Sequence, residues 1–199
     1  MTHGLLADSV CNLPCWNNVI PGKTTKDETL RIVNALESVD KDTIRVFLKP
    51  TNIFDGEIQF NIGLNEFVAT GTEIYLDGDI VAALSFSRRL GVTVGALIDK
   101  LGSPENIISM LQVERGSFVT AVYSTQGVGF GFYTDRDGVI QSNTSIDYLI
   151  LFDPQYYERL LSERLFTAGN GLTLDDIQSH MHSWKGYGEI DKLYPPIMP

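Results

Sequence analysis

Between residues 88 and 107 the chain reads RRLGVTVGALIDKLGSPENI, and its apolar positions recur at helical spacing. Val94, Leu97, Ile98 and Leu101 fall on one side of a helix that Thr93 caps and Gly102 ends. Ser103-Pro104-Glu105 has the form of a second helix start, a cap followed by a first-turn proline and acid. Ile107, Ile108 and Leu111 would give that short helix an apolar side. The period then changes to two. In SFVTAVY (117–123), Phe118, Thr120 and Val122 alternate with Val119, Ala121 and Tyr123, as in a strand covered on both faces. GVGFGFY (127–133) puts Val128, Phe130 and Phe132 on one face and glycines on the other. DRDG (135–138) reads as a hairpin turn, Val139 to Gln141 as the return, and SIDYLILF (145–152) as the last strand.

The same order stands earlier in the chain. Gly22-Lys23-Thr24 opens a helix, Thr25 and Glu28 have capping-box spacing, and Leu30, Ile32, Val33 and Leu36 supply the apolar side. Strand-like stretches follow at 43–48, 57–62, 73–76 and 79–86, with Asp77-Gly78 as a hairpin turn. The stretches from Gly22 to Phe86 and from Gly91 to Phe152 are nearly equal in length, which favours an internal duplication. The copies differ in detail: the first has Leu36-Glu37-Ser38-Val39 where the second has Leu101-Gly102-Ser103-Pro104. A third Gly-x-Thr, Gly171-Leu172-Thr173, has no strands after it and reads as capping alone. The expected fold is α+β: two tandem units, each helix–helix plus an antiparallel four-strand meander (residues 1–87 and 88–153), forming one sheet layer. Residues 154–199 form a C-terminal extension, with helices over 154–166 and 173–184 and an extended tail.

Gly91, Thr93, Leu101, Gly102 and Pro104, with Gly22 and Thr24 in part, resemble the pattern of β-lactamase inhibitory protein and of the related small outer-membrane lipoprotein domain of the β-barrel assembly machinery. There a Gly-x-Thr opens the first helix and a Leu-Gly-x-Pro closes it. The segment LPCW…PGKT (13–24) resembles the start of certain uncharacterised bacterial exported lipoproteins. The resemblance covers roughly residues 11 to 153. It implies an extracytoplasmic binding or scaffolding protein with a concave antiparallel sheet. No inhibitory residue carries over, because none matches a position here.

Composition narrows the partners. A formal net charge of -10 and a pI of about 4.6 disfavour nucleic-acid backbones and anionic membranes, and Lys and Arg are scattered rather than clustered. No apolar run approaches the length of a membrane span. The start MTHGLLADSVCNLPCW lacks a basic segment followed by an apolar core, so it reads either as the start of a cytoplasmic protein or as a mature exported domain with a new Met1. Cys11 and Cys15, the two cysteines, flank Pro14 at a spacing compatible with a disulfide, with free thiols, or with a redox or metal pair. A lone pair leans towards export.

Candidate catalytic chemistry is thin. Within a helix His180 and His182 would point to nearly opposite faces and would not chelate one ion unless the helix had ended. His3 stands apart from both. Neither cysteine nor any serine sits in a nucleophile elbow. Gly127, Gly129 and Gly131 alternate within a strand instead of opening a helix, so they make room for packing and do not cradle phosphate. Asp135 and Asp137, like Asp77 and Asp79, suit hairpin turns better than a calcium loop. Asp175 and Asp176, and Asp27 and Glu28, fall in first helical turns, where carboxylates offset the helix dipole.

No cofactor or metal is expected. Tyr75, Tyr123, Tyr133 and Tyr148, all on predicted strands, are the candidate binding residues, since tyrosine on an open sheet face is a frequent anchor. The favoured function is non-enzymatic: an exported protein, lipid-anchored where a longer form supplies the anchor, that binds a protein or envelope component through its sheet. The alternatives are a cytoplasmic binding or regulatory domain of the same fold, and a hydrolase using His180 or His182 with Asp175 or Asp176.

Overall fold

A computed structural model of the chain describes residues 11–48, 54–65, 68–88, 90–112, 116–134, 138–163, 165–166 and 173–197. His3, Asp135, Asp137, Gly171 and Leu172 lie outside the described residues. Helix α1 (Lys26–Ala35) is followed by strands β1 (Val39–Leu48), β2 (Gly56–Asn65), β3 (Val68–Asp77) and β4 (Ile80–Ser87). Helix α2 (Val94–Leu101) is followed by β5 (Asn106–Gln112), β6 (Gly116–Tyr123), β7 (Val128–Tyr133), β8 (Val139–Ile140) and β9 (Tyr148–Phe152). The C-terminal part holds α3 (Tyr157–Ser162), α4 (Leu174–Ser179), β10 (Met181–His182), β11 (Gly188–Glu189) and α5 (Ile190–Leu193).

The fold is α+β, dominated by one antiparallel nine-stranded sheet ordered β1-β2-β3-β4-β9-β7-β6-β5-β10, beside a small β8–β11 ribbon. Outward from the β4–β9 seam the strands descend in sequence order on both sides, β4 to β1 on one and β9 to β5 on the other, where β10 is then added beyond β5. Each helix entrance is also tied to the strand at the seam. Thr25 bridges Ile80 at the start of β4, and Thr93 bridges Ser145 just before β9. Gly22 and Gly91 both take left-handed conformations at these entrances, with φ of 78° and 67°.

Local chemistry accounts for the helices. Thr25 Oγ1 accepts from the Glu28 N–H while the Glu28 carboxylate accepts from the Thr25 N–H, a complete capping box. Thr93 caps α2 by accepting from the Ala96 N–H, and Gly102 ends it at φ 83°. Thr24 is not a cap: its hydroxyl accepts from the Ile20 N–H and ties the preceding turn together.

Alternation along the strands sorts the core into two layers. One face of the sheet buries Trp16, Val33, Phe60, Phe86, Leu97 and Phe130 beneath α1, α2 and the Ile190–Tyr194 segment. The opposite face buries Phe118, Phe152, Leu160, Phe166, Ile177 and Ile197, covered by α3, α4 and the end of the chain. We call these the helix face and the tail face. Gly129 and Gly131 point to the tail face, where a Cβ would stand 2.8 Å from the Phe166 ring and 2.5 Å from the Phe118 ring. The alternating glycines are therefore sockets for two phenylalanines.

Several expectations need correction. Only one helix stands before each run of strands among the described residues, because residues 106–112 form β5 and not a second helix. Ile107 and Ile108 are both buried, one on each face, and the strand pairs with β6 from Asn106↔Val122 to Gln112↔Gly116. Glu105 is no first-turn acid. Its carboxylate accepts from the N–H and hydroxyl groups of Ser124 and Thr125, which pins the β6–β7 turn. Val139–Ile140 is not the return partner of β7, since it pairs with β11 while β9 takes the place beside β7. The C-terminal helices are shorter than their periodicity suggests, and KGYGEIDKLYPPIMP contains β11 and α5. Cys11 and Cys15 form a disulfide, with Cα atoms 5.7 Å apart.

Candidate functional site

The C-terminal extension covers the tail face mainly over β5, β6, β7 and β9. Towards β1 the same face changes character. The alternate residues of β2, β3 and β4 that turn away from the helix-face core are largely polar: Glu57, Gln59 and Asn61, then Gly71 and Glu73, then Ser85 and Ser87. Their neighbours Ile58, Phe60, Ile62, Ile74, Leu84 and Phe86 belong to the helix-face core. Register assembles the polar residues into rows. Asn61, Gly71, Ser87 and Tyr148 lie side by side across four strands; Gln59, Glu73 and Ser85 form the next row; Glu57 and Tyr75 begin the third.

Gly71 leaves a gap in the first row, and a groove of about 270 Å³ opens there. Thr43, Gln59, Asn61, Gly71, Glu73 and Ser87 line it. A Cβ at position 71 would approach Ser87 Oγ to 3.1 Å, so a side chain there would press on the Ser87 hydroxyl and enter the groove. Thr43 is held in place by its own bonds: its hydroxyl donates to the Asp40 carbonyl (2.6 Å) and accepts from the Asn61 N–H (2.9 Å).

Beside the groove is a compact acid–phenol network. The Tyr75 hydroxyl donates to Glu73 Oε2 at 2.6 Å, and Ser85 Oγ donates to the same oxygen at 3.3 Å. The Gln59 amide donates to Glu57 Oε1 at 2.6 Å. Burial first, then the Tyr148 phenol and the Glu73 carboxylate, push the Tyr75 hydroxyl far above its ordinary range. Burial and Glu73 likewise raise Tyr148, with the Ser85 hydroxyl opposing them. Both phenols therefore stay protonated at neutral pH, and Tyr75 serves as a donor to Glu73. Glu57 is only 6% exposed. Its pKa is raised chiefly by burial and further by Glu73, against the bond from Gln59. Among the described residues no lysine or arginine forms an ion pair with Glu57 or Glu73.

The raised Glu57 pKa has a sign that can be measured. The folded protein holds this proton more tightly than the unfolded chain, so its stability falls as pH rises from the ordinary glutamate range through the folded value. Glu57→Gln keeps an oxygen to accept from Gln59 and removes that pH-dependent loss. The variant is expected to melt above wild type at pH 7, with the difference vanishing below about pH 4, where Glu57 is protonated in both states. Thermal melts at the two pH values check this, and an equal or lower melting temperature at pH 7 would refute it.

The four candidate tyrosines do not share one site. Tyr75 and Tyr148 belong to the network. Tyr133 is on the same face but packs on Phe118, with centroids 4.9 Å apart. Tyr123 is fully buried on the helix face, where its hydroxyl donates to the Gly102 carbonyl at 2.7 Å. Pro104 is buried just before β5. Helix α4 ends before the histidines: His180 is its C-cap and bonds through Nδ1 to the Asp176 carbonyl and the Ser179 hydroxyl, whereas His182 on β10 reaches the Pro195 carbonyl. Asp176 closes a capping box with Thr173, which lowers its pKa, and Asp175 is a first-turn acid. Asp77 accepts from Tyr156 and Arg159, and Asp79 pairs with Lys26. Among the described residues no three metal-ligating side chains gather in one place, and no helix is long and apolar enough to cross a membrane.

Glu57, Gln59, Glu73 and Ser85 are absent from the sequence-based candidates. Their signal was the polar half of the alternation in EIQFNI and EIYL, which becomes a site only when four strands are placed in register. The geometry defines an α+β sheet protein with a polar groove on an otherwise covered face. Comparison with protein-family models, curated proteins and solved structures finds no match for the chain.

Proposed function

We propose that the chain is an extracytoplasmic binding protein made of two fused helix–sheet units, residues 1–87 and 88–153, whose groove on the first unit engages a protein or envelope component. The observation that carries this reading is the asymmetry of the tail face. Over the second unit and beside Phe54 and Ala83 of the first that face is filled by the C-terminal extension, and over β2, β3 and the end of β4 it presents hydroxyls, amides and a carboxylate around an open groove. The matching strand order and the two left-handed glycines at the helix entrances support the duplication. The Cys11–Cys15 disulfide favours an oxidising compartment. The Glu73 carboxylate at the groove and the acidic whole argue against a polyanionic ligand.

A photo-cross-linking residue at Ser87, on the groove, tests the binding role against the same residue at Glu37, in the exposed turn after α1. In the native host the Ser87 position is expected to give an adduct that Glu37 does not give and that excess unlabelled protein suppresses. Identical adducts from both positions, or none, would overturn the reading. For the compartment, protein taken from its host and denatured without reductant is expected to show no free thiol, and two thiols would refute export.

A further inference from the structure

We propose that β1 is a self-recognition edge, along which two copies of the chain pair antiparallel about a two-fold axis at Val46. The two edges of the large sheet are finished differently. Beyond β5, Met181 and His182 pair along the strand, and Ile197 exchanges backbone bonds with Ser109 and Leu111. Beyond β1 nothing pairs among the described residues. The first half of β1 is blunted by its own chemistry. The register shifts between Asp40 and Arg45, Lys41 turns back to the Val33 and Leu36 carbonyls, and the Asp40 and Arg45 side chains bond the backbone of residues 42 and 44.

The second half has no such protection. Arg45 to Leu48 run in regular register along β2, opposite Gln59 to Gly56. Val46, Phe47 and Leu48 are 44%, 41% and 73% exposed. Among the described residues the only other large hydrophobic side chain so exposed is Tyr187. Among the described residues, three of the four exposed large hydrophobic side chains thus stand consecutively on the unpaired β1 edge.

Pleating restricts how two such edges meet. A two-fold axis normal to the sheet places opposite one another residues of like parity, so the axis must pass through a residue. An axis at Arg45 sets two guanidinium groups against each other. One at Ile44 sets Asp42 and Asp40 against the apolar Val46 and Leu48. With the axis at Val46, Val46 faces its own copy and Ile44 faces Leu48 on the helix-face side. On the tail-face side Arg45 lies opposite Phe47, a cation beside an aromatic ring. Every exposed apolar residue then gains an apolar or cation–π neighbour and no like charges meet. The contact is short, so the dimer is weak and concentration-dependent. It also brings the two tail faces, each with its groove, onto one continuous sheet.

The test uses two variants and the intact chain. Cys11 and Cys15 are bonded to each other, so Val46→Cys adds the single free thiol. Cross-strand pairing holds the two introduced Cβ atoms about 5 Å apart. A short bis-maleimide is expected to convert Val46→Cys to covalent dimer at least about tenfold faster than Glu37→Cys at equal concentration. Sedimentation equilibrium of the wild type is expected to show mass rising above 22.1 kDa with concentration. Leu48→Lys, changed at a largely exposed position and folded by circular dichroism, is expected to stay monomeric. Equal cross-linking rates, or a wild type monomeric at about 1 mM, overturn the proposal. A wild type that dimerises while Val46→Cys reacts no faster than Glu37→Cys overturns it equally, since the edge would then not be the contact.

Discussion

Gly127→Ala is expected to destabilise the protein by at least about 3 kcal/mol, and at 37 °C to leave much of it unfolded. Two costs combine. Gly127 has φ of 68°, a region that costs an alanine about 1 kcal/mol or more. The added Cβ would also stand 2.0 Å from the Phe152 carbonyl oxygen and 3.2 Å from its carbon. These are backbone atoms of a central strand, and the Phe152 N–H is meanwhile bonded to the Gly127 carbonyl at 2.8 Å. Relief therefore requires the β6–β7 turn to part from the end of β9. Gly138→Ala is the natural comparison. Its φ is 60°, but among the described residues no atom lies within 4 Å of a Cβ added there, so the conformational cost dominates. Chemical denaturation of the two variants separates clash from backbone strain, and equal losses would refute the clash.

Trp16→Ala is expected to cost about 3–5 kcal/mol. Trp16 is 2% exposed, and its ring packs on Phe60 and Phe86 at centroid distances of 6.0 and 5.4 Å. It lies in the short Cys11–Ile20 segment before α1, where reciprocal backbone bonds with Val19 and the adjoining disulfide at Cys15 fix its approach. Truncation leaves a void between β2, β4 and the leading segment that the disulfide-bound chain is poorly placed to fill. Trp16→Phe retains a ring and is expected to lose distinctly less. Denaturation followed by circular dichroism is the suitable measurement, because the substitution removes one of the chain's two tryptophans. A loss below about 1 kcal/mol would show that the void is not formed.

Both effects bear on what the sequence made readable. The meander from Thr43 to Phe86 was legible because its strands alternate and the β3–β4 turn carries Asp77-Gly78. The α1 capping box and the Thr93–Gly102 helix were legible because capping is local. Residues 104–111 misled for an equally physical reason. Ser-Pro-Glu is good helix-start chemistry, but Glu105 is claimed by the Ser124–Thr125 turn nearly twenty residues away, and Ile107 and Ile108 need one covering layer each. Local propensity lost to tertiary pairing. At the candidate site Tyr75 and Tyr148 could be found as strand tyrosines. Gln59, Glu73 and Ser85 could not, because the row they form is a product of register across three strands. The separation of Tyr123 from the other three was equally hidden. Alternation shows that neighbouring residues face apart, not which face the helices cover.

The β4–β9 seam also says something about the order in which the molecule is made. Strands β1 to β4 meet through successive hairpins, and so do β5, β6 and β7, whereas β4 and β9 are brought together across more than 60 residues of chain. Closing that distance costs loop entropy before any contact offsets it. The two hairpin stacks are therefore expected to assemble before the seam, and weakening Leu84 against Leu151 is expected to hasten unfolding, read by stopped-flow, while leaving the folding rate nearly untouched.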